Sequence, residues 1–218
     1  MSTYRDGLPQ MQNRIFLTDG GLETSLIFHQ GIELPHFASF HLMRDAEGCA
    51  KLTDYSRPFL ATARSGGYGF ILDTPTWRAN ADWGEKLGYS AEALAAVNRQ
   101  AVALMDELRA QYVGDDFPIV LSGAIGPRGD GYVAGDVMSV SEAEAYHSAQ
   151  IDSFADSNAD MVTAFTMNNV PEATGITRAA KRANIPVAIS FTVETDGRLP
   201  AGQSLREAIE AVDEQTGG

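Results

Sequence analysis

Apolar residues in this chain fall into short unbroken runs, separated by stretches where they recur every three or four positions. Five runs read as strands: Ile15–Asp19, Phe70–Thr74, Ile119–Gly123, Met161–Phe165 and Val187–Val193. Each is apolar at consecutive rather than alternate positions, as in parallel strands covered on both faces. The intervening stretches predict helices over Thr53–Ser65, Ala91–Tyr112, Ser141–Asn158, Pro171–Ala183 and Leu205–Val212. The second shows the period best, with Leu94, Val97, Ala101, Leu104, Met105 and Leu108 on one face. Ser139 with Glu142, and Ser204 with Glu207, have capping-box spacing and mark two helix starts. Pro118 and Pro186 stand just before strands, where a missing donor is tolerated.

Strand–helix alternation without a low-complexity linker means an α/β fold on a parallel sheet, in a single domain over residues 1–218. Two architectures fit. A doubly wound sheet would carry a glycine-rich phosphate turn after its first strand, and Gly20-Gly21-Leu22-Glu23-Thr24 is not that motif. A closed barrel of eight strand–helix units, typically about 250 residues, places its site at the C-terminal strand ends. Those ends read Asp19, then Asp73-Thr74, Ser122-Gly123, Thr163 and Thr166, and Ser190, Thr192 and Glu194. All are small polar or acidic, and a barrel gathers all of them on one face. The expected fold is therefore α/β of the (β/α)8 TIM-barrel type, with about five of the eight units present. Gly217-Gly218 reads as a helix C-cap leading into a further strand, so the domain is expected to be incomplete at its C-terminal side. Five strands alone leave two open parallel edges, which invites a homo-oligomer.

Composition narrows the class. The 218 residues are 44% hydrophobic, enough for a core, and 21% charged. A net charge of −13 with dispersed Lys and Arg argues against a nucleic-acid or anionic-membrane partner. No apolar run reaches the length of a membrane span. The first dozen residues lack a signal-peptide core and read as a loose arm. Cys49 is the sole cysteine, which rules out an internal disulfide and suits a cytoplasmic enzyme.

Candidate chemistry sits at the strand ends. Asp19, beside Gly20 and Gly21, could hold a polar ligand where the backbone lets it approach, or cap the next helix. Asp73 and Thr74 could line the same site, or Asp73 could fix its loop or pair with Arg78. Trp77 could wall an onium pocket or pack the loop against the sheet. Gly126 and Pro127 shape a loop with backbone donors, and Glu194 adds an acid after the fifth strand or a solvated loop charge. Asn168 and Asn169 line the mouth or make a turn. His29, His36 and His41 have no metal-binding spacing, and His147 reads as a surface position on a helix. Arg128-Gly129-Asp130 reads as a chance adhesion tripeptide.

Asp19-Gly20-Gly21-Leu22-Glu23-Thr24, with Leu26 and Gly31 following, resembles the opening of the homocysteine S-methyltransferase family. Gly123-Ala124-Ile125-Gly126-Pro127-Arg128-Gly129 looks like that family's Gly-Pro turn. Ile189-Ser190-Phe191-Thr192-Val193, with Gly197-Arg198-Leu199 and Gly202, is similar to its fifth-strand segment. The resemblance implies a (β/α) barrel that transfers a methyl group from an onium or methyl-carrier donor to a thiol such as homocysteine, giving methionine. It implies zinc on three cysteine thiolates, which lowers the pKa of the substrate thiol. It also implies Asp19 as a ligand of the substrate amino group. The family's glutamate at the fourth strand end is replaced here by Phe165. Cys49, between Gly48 and Ala50, matches none of the zinc cysteines, so zinc is expected of the family while its ligands are absent here. The expected substrate-binding set is Asp19, Gly20, Gly21, Asp73, Thr74, Gly126 and Glu194, with no catalytic residue and no metal ligand assigned. The partners implied are an amino-acid thiol and a methyl donor. Two other readings stay open. One is a barrel-mouth enzyme using Asp19, Asp73 and Glu194 as acid/base groups or around a hard metal such as magnesium. The other is a non-catalytic binding protein, which Phe165 favours.

Overall fold

The computed structural model describes residues 2–112, 116–133 and 135–217. Its sheet contains β1 (Phe16–Leu17), β2 (Gly69–Asp73), β3 (Ile119–Ile125), β4 (Met161–Met167) and β5 (Val187–Phe191), in that order across the sheet. All neighbours are parallel, with Phe16 beside Gly69, Phe70 beside Ile119, Ser122 beside Met161 and Val162 beside Val187. The sheet curls into a half-barrel. Around it lie α1 (Leu22–Thr24), α2 (Ala46–Ser65), α3 (Ala81–Lys86), α4 (Ala91–Ala110), α5 (Val140–Ala155), α6 (Val170–Arg182) and α7 (Leu205–Thr216). Sequential order is the simplest product of repeated parallel crossovers, each new strand pairing with the last.

Local chemistry sets the helix starts. Both predicted capping boxes form, at Ser139 with Glu142 and at Ser204 with Glu207. Asp45, Asn80, Ser90 and Asn169 cap α2, α3, α4 and α6 with their side chains. Two elements depart from the sequence expectation. α2 begins at Ala46 rather than Thr53, because Gly48 is no helix breaker here. A Cβ at Gly48 would run into the Leu42 carbonyl, so glycine is what lets that segment pack close. α3 is short and falls in a stretch to which the sequence pattern assigns no element.

The core lies between the sheet and its helices. Phe70, Leu72, Leu121, Val162 and Ala164 from the strands meet Leu60, Met105, Ile151 and Ile176 from the helices. β3 is buried along its whole length, as the unbroken apolar run predicts. β1 and β5 are not covered on both faces, because they are the two edges of the sheet.

The expected loose N-terminal arm is instead strapped across the amino-terminal edge of the sheet. Asp160, fully buried just before β4, accepts from the Thr3 and Tyr4 N–H groups at 2.7 Å each. Its other oxygen accepts from Arg109 at 2.8 Å and from the Leu121 N–H at 2.9 Å. Arg5 donates to the carbonyls of Ala155, Ser157 and Ala159 beyond the end of α5. That terminus favours a cation. Asp160→Ala strands the three backbone donors and takes a carboxylate from Arg109, leaving its pair with Asp106, and is expected to cost about 3–5 kcal/mol of stability by chemical denaturation. A loss under about 1 kcal/mol would show that the strap is ornamental.

Candidate functional site

Parallel strands in chain order bring the ends of β1 to β5 to one edge, where the loops after each strand meet. Asp19 stands just past β1, half-buried, while Gly20 is exposed. A Cβ on Gly20 would meet no atom, so the space beside it is open. Gly21 has φ 78°, a left-handed conformation that requires glycine to open α1. The Tyr55 hydroxyl on α2 neighbours Asp19, yet it is buried without a hydrogen-bond partner of good geometry. Burial pushes the Asp19 carboxyl above the usual carboxylate range, with Tyr55 pulling the other way. Glu23, missed from the sequence, joins this group. Ser39 Oγ donates to it at 2.7 Å, and burial raises its pKa.

Asp73 closes β2. As a residue it is half-buried, but its Oδ1 is sealed and unpartnered. Burial, then the charge of Asp19, push its carboxyl up to about 8. It does not form the expected ion pair with Arg78. Thr74 is spent inside the fold. Thr76 donates to the Ala124 carbonyl at 2.7 Å, so the 2.6 Å contact between the two hydroxyls has Thr74 as donor. Thr74 also accepts from the Ala124 N–H at 3.0 Å, which ties the end of β2 to β3. Gln150 and Asn98 hold the same loop from behind, donating to the carbonyls of Thr76 and Ala79.

Trp77 packs this loop against its neighbours. Its Nε1 donates to Thr166 Oγ1 at 3.2 Å. Thr166 has φ 56°, an outlier for a β-branched residue, and sits at a register irregularity in β4. Arg78 is 6% exposed, with its guanidinium 4.0 Å from the Trp77 ring and 3.8 Å from the Trp83 ring. Gly126 lies under Trp77, where any Cβ would strike the Trp77 carbonyl and ring.

The Gly126-Pro127 turn is anchored from α6. Glu172 accepts from the Arg128 N–H at 2.7 Å and from His147 at 2.9 Å. Burial opposes the Glu172 charge, but His147, Arg128 and Asn169 outweigh it and hold the carboxyl below the usual range. His147 is thus fully buried, not a surface residue. Its spacing from Ala143 and Ile151, both buried, places it on the inward face of α5. Asn168 donates to the Asp130 and Val133 carbonyls, and Asn169 caps α6, so both amides hold loops. Arg128 pairs with Asp82 at 2.9 Å.

Other expected residues are not brought to Asp19. Glu194 is exposed beyond β5, at the opposite edge of the sheet, in a groove of about 410 Å³ with Tyr132 and Arg198. Phe165 is half-buried in β4. His41 contacts the Tyr89 hydroxyl and His36 lies against Trp83.

The residues present do not fit the zinc site that the resemblance implies. Cys49, the only cysteine, lies in the first turn of α2 and packs against the core. Burial, then Asp45 and Glu107, push its thiol up, the reverse of what a thiolate ligand needs. Among the described residues, no group of three His, Cys, Asp or Glu side chains could hold a metal. None of their helices is long and apolar enough to cross a membrane.

Two outcomes follow from this geometry. Gly126→Ala is expected to cost about 1–3 kcal/mol by chemical denaturation, because the Trp77 backbone must move. A neutral result would contradict the close packing. Asp73 has a folded pKa of about 8 against an ordinary 3.8, so its contribution is full below pH 3.8 and is lost as pH rises through 8. Asp73→Asn, which cannot ionise, should therefore gain on the wild type between pH 5 and 8. A stability difference that stays flat over that range would show that Asp73 ionises normally.

The homocysteine S-methyltransferase family model matches residues 16–217. No curated protein matches the chain at a significant level. Among solved structures, the chain is similar to the homocysteine methyltransferase MmuM from Escherichia coli. The metallated form matches with TM-score 0.72 and the oxidized form with 0.76. Both are 19% identical, over 95% of this chain and 73% of that one. The apo form gives 0.66 at 18% identity, over 95% of this chain and 70% of that one. The structural likeness shows the fold, and the family match over nearly the whole chain shows that this protein belongs to the homocysteine S-methyltransferase family.

Proposed function

We propose that this chain builds the amino-acid-recognition part of a methyltransferase that acts on a thiol amino acid such as homocysteine, giving methionine. One observation carries the reading. In a chain matched by the family over residues 16–217, Asp19 stands half-buried at the end of β1, beside open space at Gly20 and an unpartnered Tyr55 hydroxyl. A carboxylate held partly out of water, with no cation of its own, gains most when a substrate ammonium arrives.

In this reading Asp19 receives the ammonium. Glu23 lies beside it, Asp73 closes the neighbouring strand, and the open edge of Gly20 admits the substrate backbone. Gly126 and the loop it belongs to wall the mouth, with Thr74 positioning that loop through Ala124. These residues bind and orient. No residue of the chain is assigned to activate the thiol, and no step is routed through a metal. The donor class named by the family resemblance, an onium compound or a methyl carrier, is carried forward with the reading.

Calorimetry with L-homocysteine tests this. The 218-residue protein is expected to bind saturably. Asp19→Asn, nearly isosteric, should weaken binding about 30-fold or more. Equal affinity for both proteins would remove Asp19 from the site, and no binding by the wild type would sink the reading.

A further inference from the structure

Arg78 is a buried charge with no acid paired to it among the described residues. It is 6% exposed, and Arg at such depth is almost always paired with an acid. Here no carboxylate comes within ion-pair distance of its guanidinium, among the described residues. Nη1 donates to the Gly129 carbonyl at 2.8 Å, and Nε is buried with no partner. Nη2 makes no hydrogen bond and is not among the sealed atoms, so it is the nitrogen that reaches open space. The Trp83 indole N–H, on a ring 3.8 Å from the guanidinium, is a second buried donor without an acceptor. Two adjacent orphaned donors, one carrying a positive charge, call for an anion.

The neighbouring acids do not fill that role. Glu23 and Asp130 act on Arg78 only through space. Glu23 is hydrogen-bonded to Ser39, and Asp130 Oδ1 accepts from the Tyr132 and Val133 N–H groups. The Trp77 and Trp83 rings hold the guanidinium plane in place. Stacking of this kind contributes about 0.5–2 kcal/mol and leaves the in-plane donors unused. What remains is Nη2, a charged donor held in a fixed direction, which suits an oxygen of a carboxylate. Glu23 lies within charge reach of both Asp19 and Arg78, which places the acid and the cation in one neighbourhood at the ends of β1 and β2.

We propose that Arg78 is the carboxylate anchor of the amino-acid site, receiving the substrate α-carboxylate while Asp19 receives the ammonium. This rests on the amino-acid reading of the same site. It also adds to that reading, because it makes the site select zwitterions over simple amines.

The test compares L-homocysteine with its decarboxylated aminothiol, by calorimetry on the 218-residue protein. The wild type should prefer homocysteine by about 30-fold or more. Arg78→Met, which keeps the stem between the two indoles, should erase that preference and leave aminothiol affinity within about two-fold. Arg78→Lys keeps the charge without the planar guanidinium that the indoles orient, and should fall between them if the methionine variant fails to fold. No preference in the wild type, or equal weakening of both ligands by Arg78→Met, would overturn the assignment. If Asp19→Asn still abolishes binding in that case, the amino-acid reading stands without Arg78. A wild type that binds neither ligand overturns both.

Discussion

Because all five strands run the same way and pair in chain order, every loop that follows a strand emerges at one edge of the sheet. That constraint does most to determine where chemistry can occur. It puts Asp19, past β1, beside Asp73 and Arg78, at and after the end of β2, although more than fifty residues separate the two strand ends. It also leaves the opposite edge free for purely structural devices, and Asp160 uses that freedom, gathering the arm, Arg109 and β3 in one carboxylate. Backbone hydrogen bonds lock neighbouring strands in register. Side-chain hydroxyls then fix the loops: Thr74 and Thr76 act as a clip between β2 and β3.

Burial without pairing is the second theme, and four of the atoms that show it lie on the loops and helices around the mouth. Asp73 Oδ1, the Tyr55 hydroxyl, Arg78 Nε and the Trp83 indole N–H are all sealed and unpartnered. Elsewhere the buried charges are satisfied. Glu172 takes hydrogen bonds from His147, Arg128 and Asn169, and Asp160 takes four. Uncompensated polar groups lower stability, and a fold that tolerates them at one edge is prepared for a ligand there. The signs are mixed, acids near β1 and β2 and a cation beside them, which suits a zwitterion better than a simple ion.

Much of this was legible in the sequence, for local reasons. Consecutive apolar runs marked all five strands, most clearly β3, which is buried along its whole length and so has no polar side. Capping boxes at Ser139 and Ser204 marked two helix starts because their chemistry spans three residues. Asp19-Gly20-Gly21 and the Gly-Pro turn carried the family resemblance. What was hidden depended on distance. The clamp of Thr3 to Asp160 spans 157 residues and has no local signal. His147 was misread although Ala143 and Ile151, one turn either side, put it on the buried face. Arg78 looked like a partner for Asp73 because the two are close in sequence, but the stack between Trp77 and Trp83 turns it toward Gly129. Thr74 read as a ligand residue because strand-end polarity does not reveal which hydroxyls the fold itself consumes.

A crystal structure of the protein with L-homocysteine addresses the central claim most directly. The account predicts the ligand at the ends of β1 and β2, with its ammonium in hydrogen-bond contact with Asp19 and its carboxylate on Arg78. Density for the ligand at another face, or at this edge with the carboxylate turned away from Arg78 and the ammonium away from Asp19, would contradict it.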